Sequence, residues 1–88
     1  MNQIRVQIET ITLHPISRSC AREVLSGLEK FKIILFDYEK VPMVGQAFAD
    51  EIYRVFQELH PDIRLENENM SEGVRFMVER AKSEARKK

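Results

Sequence analysis

Three carboxylates open the question of chemistry. Asp37 ends an apolar run at 33–36, and Asp50 and Glu51 fall in the first turn of a later helical pattern, so all three are candidates for one edge of a sheet. Carboxylates converging there could hold magnesium or move protons, because open α/β sheets place their sites beyond the carboxyl ends of the strands. Acidic residues in the first turn of a helix also complement its dipole with no further role, which is the more economical reading of Asp50 and Glu51. His14, His60 and Cys20 are the soft metal-ligand types, and they do not stand at a helical ligand spacing, so no metal site is expected. Cys20 lacks an adjacent base, and no nucleophile elbow, phosphate loop or dinucleotide fingerprint occurs. Neither a catalytic residue nor a cofactor is expected, and the chain does not read as an enzyme.

Other residues point to binding. Val44, Gly45 and Gln46 lead into a helix whose first amides can receive an anion or a partner's carboxylate, and glycine lets a backbone approach closely. Phe76 lies nearly opposite the apolar stripe of the last helix and is either exposed or covered by something else, which makes it a candidate for self-association. Ser17 and Ser19 are hydroxyls open to modification, although Ser17 also suits the cap of a helix.

The elements that must position these residues follow from periodicity. Ile4, Val6 and Ile8 alternate with Arg5, Gln7 and Glu9, the period of a half-buried strand, and Ile11 and Leu13 keep some alternation until His14-Pro15 ends it. Ala21, Val24, Leu25 and Leu28 predict a helix over about 18–30 behind Ser17. The run at 33–37 is short and apolar on both faces, as in a central strand. Pro42 and Gly45 mark a loop, after which Phe48, Ile52, Val55, Phe56 and Leu59 predict a helix over 46–59. Ile63 and Leu65 form a short strand at or near an edge. Asn69 with Glu72 has capping-box spacing, and Val74, Met77, Val78, Ala81 and Ala85 define a third helix.

Strand and helix in alternation argue for one α/β domain over 1–88. The expected fold is a mostly parallel or mixed sheet of three to four strands, with about three helices packed mainly on one face. Composition narrows the partners. The 88 residues carry 14 Lys+Arg and 14 Asp+Glu, and this balance lacks the excess of bases that nucleic acid or anionic lipid selects. One cysteine cannot form an intramolecular disulfide, and no apolar run approaches the roughly 20 residues that cross a bilayer, so a cytoplasmic protein is expected. The neutrality is uneven: Glu66, Glu68 and Glu72 precede the last helix, whereas Arg80, Lys82, Arg86, Lys87 and Lys88 follow. The surface should be dipolar.

Four segments form a series with Phe56 and His60-Pro61-Asp62-Ile63: Ser17-Arg18-Ser19-Cys20-Ala21, Leu28-Glu29-Lys30-Phe31-Lys32, Ile34-Leu35-Phe36-Asp37-Tyr38, and Val44-Gly45-Gln46-Ala47-Phe48-Ala49-Asp50-Glu51-Ile52. Over roughly 15–81 the series resembles the bacterial STAS-like domain of unknown function, a relative of the STAS domains of anti-sigma factor antagonists. The resemblance implies a noncatalytic, regulatory protein-interaction module in signalling, with an ATPase/kinase-type regulator as partner. It places docking on the loop and helix start at 44–51, with Val44, Gly45, Gln46, Phe48, Asp50 and Glu51 as the contact residues. In the better-known relatives a serine at this helix start is phosphorylated to break the complex. Gly45 and Gln46 stand at the corresponding positions and cannot accept phosphate. A self-associating subunit, such as a homodimer, and a small-molecule or anion sensor at the same helix start are the alternatives.

Overall fold

The computed structural model describes residues 2–86. Lys87 and Lys88, the last bases of the carboxyl-terminal run, lie outside the described residues. Three strands, β1 (Gln3–Gln7), β2 (Ile33–Asp37) and β3 (Arg64–Glu68), form a parallel sheet in the order β1-β2-β3, with Val6 beside Phe36 and Phe36 beside Asn67. Each crossover steps the same way across the sheet, and right-handed connections then put the helices on one side.

Four helices are present among the described residues. A single turn, α1 (Ile8–Ile11), follows β1 directly, and α2 (Arg18–Leu25) precedes β2. The helical stretch 46–59, here α3, begins as an α-helix (Gln46–Asp50), widens into a π-helical middle (Glu51–Phe56) and closes with an α-helical turn (Gln57–Leu59). The last helix, α4 (Glu72–Arg86), follows β3. Both α2 and α4 pack against α3.

Alternation sends Ile4, Val6, Ile34, Phe36, Leu65 and Asn67 to the helical side. There they meet Ala21, Val24 and Leu25 of α2, Phe48, Ile52 and Phe56 of α3, and Val74, Val78 and Ala81 of α4. The other face carries Arg5, Gln7, Glu66 and Glu68 around half-buried Ile33 and Leu35. Helices on one face and β3 at an edge agree with the sequence pattern.

Four expectations change. The first strand stops at Gln7, because the chain turns into α1, where the amide of Thr12 donates to the Ile8 carbonyl at 3.1 Å; Ile8 stays buried, but Leu13 points to solvent. The helix predicted over 18–30 ends at Leu25, since Gly27 adopts a left-handed φ of 80° and a separate 3₁₀ turn (Leu28–Lys30) follows. The π turns of α3 advance each residue by less than an α-helix does, so Tyr53 turns inward and Leu59, expected on the stripe, is 72% exposed. Asn69 does not cap α4. It sits at φ 58° and donates its amide to Asp37, while the Ser71 hydroxyl accepts from the Val74 amide at 3.2 Å and donates to the Pro42 carbonyl.

Candidate functional site

The three carboxylates do not converge, in keeping with the economical reading of Asp50 and Glu51. Asp37, 2% exposed, belongs to a network at the ends of β1, β2 and β3: its Oδ1 accepts from the Asn69 side chain and the Glu39 amide, both at 2.9 Å, and its Oδ2 from Arg5 at 2.8 Å. Arg5 also donates to Glu68 at 2.7 Å. The Asn69 amide foremost, then the Glu39 amide and Arg5, holds the Asp37 carboxyl below the usual carboxylate range. Asp50 and Glu51 belong to another network, between helices. Arg54 grips Asp50 with two bonds of 2.6 and 2.8 Å, Arg18 of α2 reaches both Asp50 (3.1 Å) and Glu51 (3.0 Å), and Arg22 approaches Glu51 at 3.4 Å. These two acids tie α2 to α3. Among the described residues, no group of three or more His, Cys, Asp or Glu could hold a metal ion.

Above the carboxyl ends of β1 and β2 lies a cleft of about 430 Å³. One wall is the strap that follows α1, with Leu13, Pro15 and Ile16; the other is the loop that follows β2, with Val41, Pro42, Met43 and Val44. Its surface is mostly apolar, and Glu9 of α1 and Lys40 are charged residues among its lining. Leu13, Ile16 and Met43 are 80%, 60% and 54% exposed. Three large apolar side chains at one opening form a patch of the kind that marks a binding surface.

The walls are joined at Gly45. Its amide donates to the Pro15 carbonyl at 2.9 Å, and the Phe48 amide donates to the Ile16 carbonyl at 3.2 Å. A Cβ on residue 45 would stand 2.4 Å from the Ile16 carbonyl oxygen, so only glycine admits the strap. The close approach expected at Gly45 is therefore made by the chain's own backbone. Two amides at the start of α3, the group invoked for an anion sensor, already have carbonyl partners.

The residues assigned to docking from the sequence therefore separate. Val44 and Gly45 line the cleft, Val44 and Phe48 are buried in the core, Asp50 and exposed Gln46 share a second, polar hollow with Arg18 and Arg54, and Glu51 faces Arg18 and Arg22. Ser17 caps α2 by accepting from the Cys20 amide at 3.1 Å, and its hydroxyl meets that of exposed Ser19 at 3.1 Å. Phe76 is 62% exposed on α4.

Sequence reasoning missed the strap, although apolar Leu13 and Ile16 flanking Pro15 in a loop were its signal. It also missed a buried polar chain beneath the sheet. The hydroxyls of Tyr38 and Tyr53 lie 2.6 Å apart, and Tyr53 also bonds Asn67 of β3. Burial pushes both phenols well above their ordinary range.

No curated protein and no solved structure matches the chain. A model of the STAS-like domain of unknown function matches residues 21–75, more than half of the length. The chain belongs to that family.

Proposed function

We propose that this member of the STAS-like family is a noncatalytic regulatory module that accepts a protein partner in the cleft between the strap and the β2–α3 loop. The observation that carries the reading is the grouping of exposed Leu13, Ile16 and Met43 around one preformed apolar opening at the carboxyl edge of the sheet. Anchoring side chains of a partner gain most where apolar walls already stand apart and need no repacking. The cleft includes Val44 and Gly45, the beginning of the segment that the resemblance marks for docking. In the better-known relatives the partner is an ATPase/kinase-type regulator, and a protein of that type is the partner proposed here. Gly45 holds the strap in place of the serine switch, so docking is regulated other than by phosphorylation at the helix start.

The test is calorimetric titration of the chain with an ATPase/kinase-type regulator from the same organism. The Leu13→Asp and Met43→Asp variants are expected to lose about tenfold or more in affinity, with circular dichroism unchanged. Full affinity in both variants would overturn the reading.

A further inference from the structure

The cleft carries a knob beside its hole. Leu13 projects from the strap at 80% exposure next to an opening of about 430 Å³ with room for a leucine side chain. A surface holding both parts satisfies the condition of an isologous contact, in which residue i meets residue j of a second copy and j meets i. The charges of the cleft obey the same symmetry. Glu9 of α1 and Lys40 of the loop after β2 both line the cleft, and neither has an ion-pair partner among the described residues. By contrast Asp37, Asp50, Glu51, Glu66 and Glu68, away from the cleft, are each engaged by arginine. An acid and a base lining one apolar opening are complementary in charge to the same opening on a second copy turned by a half-rotation. The net charge of +0 opposes no approach of two copies.

We infer that a second copy of this chain fills the cleft when no other partner does, Leu13 of each entering the opening of the other and Glu9 of each meeting Lys40 across the two-fold axis. The contact belongs to the small end of specific interfaces, below about 1,200 Å² in total, and so to concentration-dependent association. Self-association and partner docking then compete for one surface. The inference shares its cleft with the docking reading, and each has its own readout.

Sedimentation equilibrium from about 5 to 500 µM is expected to show a monomer–dimer exchange in the unaltered chain, in the range of weak interfaces. Leu13→Asp should weaken it about tenfold or more, and Lys40→Glu about fivefold or more by setting two acids against each other. Exchanging both charges, Glu9→Lys with Lys40→Glu, should restore association, whereas Phe76→Glu should leave it unchanged. A monomer throughout the range would overturn the inference, as would unweakened dimers of Leu13→Asp, failure of the charge exchange to restore association, or loss of the dimer in Phe76→Glu. Titration of the ATPase/kinase-type regulator into the same variants reads the docking proposal separately. Loss of regulator binding in Leu13→Asp with a monomeric parent sinks only the dimer; dimerisation without regulator binding sinks only the docking reading.

Discussion

Asp37 shows how a residue that looks catalytic is held for structure. A side-chain amide, a backbone amide and a guanidinium together hold one buried carboxylate. The sequence announced an acid at the end of a central strand, which was correct, but it did not disclose Asn69, because a left-handed φ of 58° at that position turned a supposed cap toward the acid. Asp37→Ala leaves the Asn69 and Glu39 amides without this acceptor and Arg5 with Glu68 alone, and is expected to cost about 1.5–3 kcal/mol in urea unfolding, the range for hydrogen bonds to a charged group. The pH dependence has a definite sign. The folded carboxyl titrates lower than the unfolded one, whose value is near 3.9, so between the two the unfolded state holds more protons and stability rises with pH. Stability from Asp37 is therefore fully present above the unfolded value and is lost as pH falls through the folded one. An unfolding curve from pH 5 down to pH 2 should be flatter in Asp37→Ala; equal slopes would assign the acid sensitivity elsewhere.

At the scale of elements, periodicity located every strand and every long helix, because burial on one side imposes a period of two or about 3.6 whatever the fold. Turn geometry was less legible. The strap at 12–16 lies flat on the start of α3 only because residue 45 has no Cβ, and that is a contact between Ile16 and Gly45, far apart in sequence. The π-helical middle of α3 was equally invisible, since hydrogen bonds from i to i+5 leave no mark on composition. Its consequence is that Tyr53 faces inward, where its hydroxyl connects Tyr38 at the end of β2 to Asn67 of β3. Tyr53→Phe strands the Asn67 oxygen and one partner of Tyr38 together, so it should destabilise by about 1–3 kcal/mol. Tyr38→Phe should cost less, because the bond between Tyr53 and Asn67 survives it. Denaturant midpoints of the two variants and the double variant test this, and strict additivity would show that the three groups do not act as a chain.

At the scale of the whole molecule the described residues form one sheet with one layer of helices, so the core among them has a single interior and no second layer to compensate for damage. Phe48 was assigned from the sequence to partner binding because it follows Gly45-Gln46, yet it is fully buried, and periodicity alone had already placed it on the apolar stripe of α3. The two signals conflict because a motif records which residues recur together and not which side of the helix each faces. A domain of 88 residues has a stability of about 4–13 kcal/mol at the usual 0.05–0.15 kcal/mol per residue, and truncating a buried phenylalanine removes about 3–5 of it. Phe48→Ala should therefore remove a large share of the chain's stability and lower its denaturation midpoint strongly, whereas Leu13→Asp, at an exposed position, should stay within about 0.5 kcal/mol of the parent. Loss of binding in Phe48→Ala would then track the unfolded fraction and recover when a stabilising osmolyte restores the fold. Loss in Leu13→Asp would persist in a fully folded protein. If instead Phe48→Ala kept its full denaturation midpoint and lost only affinity, Phe48 would be a contact residue after all and the core drawn around α3 would be wrong.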